Sequence, residues 1–118
     1  MTSLIACLTT GKGGWARVSE LMNSMEWEKI YLITNEFGKL NFKSNKSFEL
    51  IIINPDEPID EIKSAIILQL KGKIKDLEVA LNISSGSGKE HMAIISAILS
   101  SGLGLRIVEV ENGKMKVV

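Results

Sequence analysis

Residues 77–103 read LEVALNISSGSGKEHMAIISAILSSGL, and this stretch decides the fold. Leu77 to Asn82 is an apolar run of strand length. From Met92 onward apolar side chains recur at helical spacing, up to Gly102 and Gly104, which suit a helix terminus. Between the two lie Ser84-Ser85-Gly86-Ser87-Gly88, closed by Lys89. A strand that feeds a helix through such a loop turns backbone N–H groups outward at the positive end of the helix dipole. That arrangement suits an anion, most often a phosphate.

The same grammar recurs along the chain. Ser3 to Thr9 reads as a buried parallel strand, followed by the loop Thr9-Thr10-Gly11-Lys12-Gly13-Gly14. A helix is predicted from Trp15, with Trp15, Val18, Leu21, Met22 and Met25 on one stripe. Lys29 to Thr34 is a second strand, and residues 35–47 read as a loop or a single short helix. Phe48 to Ile53 is a third strand, stopped by Asn54-Pro55 because proline cannot continue a central ladder. A helix over Pro58 to Lys73 follows, with Asp60 and Glu61 suiting its positive end and Lys71, Lys73 and Lys75 its negative one. Leu105 to Val110 is a fifth strand, and Asn112-Gly113 predicts a type I′ turn into an antiparallel edge over Lys114 to Val118.

Strands alternating with helices imply an α/β fold: a doubly wound, mainly parallel sheet of about five strands, helices on both faces, with a C-terminal antiparallel strand. Ligands of such sheets bind beyond the carboxyl ends of the strands, where strand order reverses. The loops 9–14 and 84–89 are therefore predicted to flank one crevice.

Composition narrows the partners. A chain of 118 residues suits one domain. Fourteen basic and fourteen acidic side chains cancel, so no global field draws in duplex nucleic acid or an anionic membrane. No apolar run is long enough to span a bilayer and no secretory leader is present, which predicts a cytoplasmic location. Cys7 has no partner for a disulfide and reads as a small core residue. With His91 the only histidine, no metal site is predicted.

Two familiar phosphate motifs fit this chain only in part. A P-loop needs glycine where Ile83 stands and Ser or Thr where Glu90 stands. Gly11, Gly13 and Ala16, with Glu36 about twenty residues on, match a dinucleotide fingerprint. A nicotinamide or other nucleotide-binding protein is thus an alternative, although no substrate domain follows.

A strand ending at Asn82, then Ser-Ser-Gly-Ser-Gly-Lys-Glu-His-Met-Ala and an apolar helix ending near Gly102-Leu103-Gly104, resembles the signature of CRISPR-associated Rossmann fold domains. The resemblance covers residues 77–108, and the rest of the chain through its order of elements. It implies a Rossmann-like homodimer binding a cyclic oligoadenylate across its two-fold axis, without cofactor or metal. A cyclic tetra-adenylate is itself two-fold symmetric and suits such an interface.

The resemblance places Ser84, Ser85, Ser87 and Lys89 against phosphate or ribose, with Thr9, Thr10 and Lys12 on the opposite wall. Gly11, Gly13, Gly86 and Gly88 complete the ligand-binding loops, and Trp15 adjoins the first of them as a candidate for base stacking. Some members of the family are ring nucleases. In that chemistry the ribose 2′-hydroxyl attacks phosphorus, Lys89 stabilises phosphoryl charge, and Thr10 or Ser85 orients the hydroxyl. The plainer roles are a solvated Lys89, a His91 on the helix face, a packed Trp15, and a Ser87 that caps the helix alone. No output domain is seen in the sequence, so cleaving the ring is the first expectation. Binding alone, as a sensor or sponge, is the second.

Overall fold

Strands and helices alternate along the chain in the computed structural model, which describes residues 2–9 and 12–118. The elements are β1 (Leu4–Cys7), α1 (Lys12–Asn23), β2 (Ile30–Thr34), α2 (Glu36–Asn41), β3 (Glu49–Ile52), α3 (Ile59–Leu70), β4 (Glu78–Asn82), α4 (Gly88–Ser100), β5 (Gly104–Glu111) and β6 (Lys114–Val117). They form one six-stranded sheet in the order β3-β2-β1-β4-β5-β6. All neighbours pair in parallel except β5 and β6, which are antiparallel. This is the expected Rossmann-like α/β fold with a terminal hairpin, and Asn112 and Gly113 take the positive φ values, 54° and 77°, that a type I′ turn requires.

β1 is apolar throughout because both its faces are covered. Ile5 and Cys7 point to one layer, with Ile62 and Ile66 of α3 and Ile94, Ala97 and Ile98 of α4. Leu4, Ala6 and Leu8 point to the other, with Trp15, Val18, Leu21 and Met22 of α1. Burying each such leucine or isoleucine contributes about 1.5–3 kcal/mol relative to exposure. The β3 edge is closed by a side chain. Gln69 of α3 donates from Nε2 to the Ile52 carbonyl at 2.8 Å and accepts the Ile52 N–H at 3.0 Å, standing in for a further strand. Among the described residues no helix is long and apolar enough to cross a membrane.

Two boundaries differ from the sequence reading, and the stretch that reads as a loop or a short helix is a short helix. α1 begins at Lys12 rather than Trp15. Glycines disfavour helix intrinsically, but Gly14 lies so close to the loop after β4 that a Cβ there would stand 3.0 Å from the Ser85 Cβ. Packing against that loop overrides propensity. Residues 36–41 are helical, because Asn35 caps the turn by accepting the Gly38 N–H at 3.0 Å. Lys71, Lys73 and Lys75 lie past the end of α3, which stops at Leu70. Lys73 instead pairs with Glu49 at 3.0 Å.

Candidate functional site

β1 sits between β2 and β4, so the chain turns one way after β1 and the other way after β4. In sheets of this kind the loops leaving the carboxyl ends of two such strands flank the crevice where ligands bind. β4 ends on Asn82, a buried side chain whose amide donates to the Val108 carbonyl at 2.8 Å. Its Oδ1 accepts both the Ser84 N–H at 3.2 Å and the Ser84 hydroxyl at 2.7 Å. The chain thereby turns up and away from the sheet as soon as the strand ends.

Gly86 makes the next step. Its φ is +102°, and a Cβ on it would stand 2.5 Å from the Cys7 sulfur, 3.0 Å from the Thr9 hydroxyl and 3.1 Å from Glu90 Oε1. Ser87 then caps α4, its Oγ accepting the Glu90 N–H at 3.3 Å while Glu90 Oε1 accepts the Ser87 N–H at 2.7 Å. This is a reciprocal capping box. The same Glu90 oxygen also accepts the Thr9 hydroxyl at 2.7 Å.

Glu90 is 1% exposed and joins the loop after β1 to the loop after β4. The sequence reading missed it, because a glutamate after a lysine reads as helix surface. Its signal was the Ser87-x-x-Glu90 spacing. Ser87 therefore does not cap alone.

The other candidates fall around this junction. Ser85 is 3% exposed and packs on Gly14, and its carbonyl lies 2.8 Å from His91 Nε2. A carbonyl can only accept, so that nitrogen carries the proton and His91 braces the loop. The Thr9 carbonyl accepts from the Asn35 amide at 3.3 Å. Lys12 and Gly13 open α1, while Thr10 and Gly11 lie outside the described residues. Gly88 and Lys89 hold the first-turn N–H positions that the capping box leaves unused.

Lys89 is not simply solvated. Its ammonium donates to the Pro55 carbonyl at 2.9 Å, tying α4 to the loop after β3. A cation is unfavourable at a helix N-terminus, and this acceptor 34 residues away relieves it. Trp15 is an interior ring, 8% exposed, covered by Phe37 at 5.7 Å and Phe42 at 5.8 Å between centroids. Phe37 is the exposed aromatic of that pair. Among the described residues no group of three or more His, Cys, Asp or Glu side chains could hold a metal.

Cys7 lies beneath the junction, its sulfur 3.5 Å from the Thr9 hydroxyl oxygen. Burial, then the nearby Glu90 charge, push its thiol up from the ordinary 9.0 to about 11, against the Thr9 hydrogen bond. The unfolded chain then ionises this thiol first as pH rises. Its stability contribution is present below pH 9 and is lost toward pH 11, by about 1.4 kcal/mol per unit between the two values. Denaturant melts of the wild type and Cys7→Ala at pH 8, 9, 10 and 11 should show the steeper alkaline decline in the wild type. Equal slopes would place the thiol in a wetter setting than this one.

No protein-family model matches this sequence, and no curated protein matches it.

Proposed function

We propose that the chain binds a cyclic oligoadenylate across a homodimer and cleaves it by metal-independent attack of a ribose 2′-hydroxyl, ending type III CRISPR signalling in the cytoplasm. The observation that carries the reading is the Thr9–Glu90 hydrogen bond at the reversal of strand order, which brings two hydroxyl- and glycine-rich loops to one crevice. Two-fold doubling of that crevice gives a symmetric pair of sites, suited to cyclic tetra-adenylate.

In this reading a phosphate lies on the Gly88 and Lys89 N–H groups, and Lys89 swings from the Pro55 carbonyl to the phosphoryl oxygens. The 2′-oxygen forms a bond to phosphorus as the P–O5′ bond breaks. The 2′-hydroxyl proton passes to water and the departing 5′-oxygen takes one up. The products are a 2′,3′-cyclic phosphate and a free 5′-hydroxyl. The mate is drawn to the outward stripe of α4, where Met92 and Leu99 are each 57% exposed beside Ile95. That stripe begins one turn from the loop, so a two-fold beside α4 sets both loops on one side of the dimer.

Binding without cleavage is the second reading. It is favoured by the burial of Ser85 and by the hydrogen bonds that already occupy Ser84, Thr9 and Lys89.

Labelled cyclic tetra-adenylate incubated with the protein in EDTA separates these readings. The expected result is one ring per two chains, with linear product accumulating. Lys89→Ala should keep binding within about tenfold and lower turnover roughly 100-fold or more, as expected for loss of one transition-state cation. Binding with no product in the wild type would leave the sensor or sponge. No binding at all would remove the cyclic ligand and leave another nucleotide as the alternative.

A further inference from the structure

The two edges of the sheet are finished differently. Gln69 takes both backbone groups of Ile52 at the β3 edge, whereas no strand among the described residues pairs with the outer side of β6. The groups that β6 leaves unused follow from its register. Val118 donates to the Ile107 carbonyl at 2.9 Å, and the ladder sets Val108 against Val117, Glu109 against Lys116, Val110 against Met115 and Glu111 against Lys114. Hydrogen-bonded pairs alternate along an antiparallel ladder. Lys114, Lys116 and Val118 therefore turn their N–H and C=O groups to β5, and Met115 and Val117 turn theirs outward. Val108 and Val110 fix the same phase, because their carbonyls point away from β6, to the Asn82 amide at 2.8 Å and to Arg17 at 3.1 Å.

The side chains sort by face. Met115 and Val117 share the face of Val108 and Val110, which packs on α1. The other face carries charge in ranks. Glu109 and Glu111 stand on β5, Lys114 and Lys116 on β6, and Lys116 reaches Glu111 at 2.8 Å. Opposite charges facing each other across neighbouring strands attract, and like charges repel. A strand added beyond the basic rank is thus favoured when its own rank is acidic. A second copy of β6 is not. Antiparallel two-fold pairing through both Met115 and Val117 would set Lys116 against its own counterpart, and edge lysines are a usual guard against such self-pairing.

We propose that the β6 edge binds an extended segment of another protein as a seventh, antiparallel strand, with acidic side chains opposite Lys114 and Lys116 and apolar ones opposite Met115 and Val117. In strand addition the main-chain bonds supply affinity and the alternating side chains supply specificity. This surface is independent of the crevice and stands whether or not the chain binds a nucleotide.

The test is a titration of the isotopically labelled full chain with the peptide acetyl-Ser-Val-Glu-Val-Glu-Val-Ser-amide, read by amide chemical shift and hydrogen exchange. Without peptide, the Met115 and Val117 amides should exchange faster than those of Lys114, Lys116 and Val118. With peptide, they should become protected. Methylating the backbone nitrogens of the peptide valines, which donate to β6 in this arrangement, should abolish binding. Replacing the peptide glutamates by lysines should weaken binding about tenfold or more at low salt, since two attracting cross-strand pairs become repelling. Val117→Pro removes one outward N–H and no bond to β5, so it should lose the peptide while melting with the wild type. No protection at millimolar peptide, binding that survives N-methylation, or equal binding of the acidic and basic peptides overturns the proposal. So does a concentration-dependent dimer that Val117→Pro dissolves, which would give the edge to a second copy.

Discussion

Gly86→Ala is expected to lower the stability of the protein by about 2–5 kcal/mol, while Gly88→Ala, two residues on, leaves it within ~1 kcal/mol of the wild type. The two glycines look alike in sequence and stand in opposite environments. Gly86 has φ +102°, and a methyl group there meets Cys7, Thr9 and Glu90 together. Left-handed backbone costs a non-glycine residue about 1–2 kcal/mol, and forcing an added methyl into a packed site about 1–3 more. None of the three neighbours can yield cheaply. Cys7 is in the central strand, and Thr9 and Glu90 hold each other at 2.7 Å. At Gly88 nothing lies within 4 Å of the added carbon, and alanine is the better helix former. Thermal melts should separate the two variants by roughly 10–20 °C for a domain of this size. Equal melting temperatures would mean that the loop after β4 can take another path.

How much of this was readable from the chain depends on whether a residue's role is local. β1 and β4 are continuous apolar runs with both faces covered, the Asn112-Gly113 turn carries its own geometry, and Pro58 stands at the threshold of α3. Each of those features is decided within a few residues. The crevice is different. Lys89 finds its acceptor 34 residues back, and Glu90 finds Thr9 81 residues back. Neither spacing repeats a motif. Glu90 is hardest to foresee, because a carboxylate is normally solvated and its burial makes sense only once two loops deliver a hydroxyl and an N–H to it. Trp15 shows the converse. Its place beside a glycine loop leaves a packed ring and a base-stacking one both open, and it is packed, because α2 brings Phe37 over it. That cover depends on a six-residue helix held by the Asn35 cap, too short for periodicity to reveal.

Glu90→Ala is expected to cost about 2–4 kcal/mol, and Glu90→Gln less than about 1 kcal/mol. In the wild type one carboxylate oxygen accepts both the Thr9 hydroxyl and the Ser87 N–H, each at 2.7 Å, inside a site 1% exposed. Alanine removes both acceptors at once and leaves a gap beside Cys7, where an unsatisfied buried donor costs about 1–3 kcal/mol. Glutamine keeps an amide oxygen at the same reach, and a capping box works with either side chain. The contrast therefore tests hydrogen bonding apart from charge. A second measurement tests the charge. The Glu90 carboxylate is one cause of the raised Cys7 thiol, after burial, so Glu90→Gln should ionise that thiol at lower pH while keeping the fold. Thiolate absorbance followed against pH in both proteins reads this directly. If Glu90→Ala melts with the wild type, the two loops meet for reasons other than this carboxylate. The crevice would then have to be held by the Gly14–Ser85 contact and by Gly86 packed on Cys7 and Thr9.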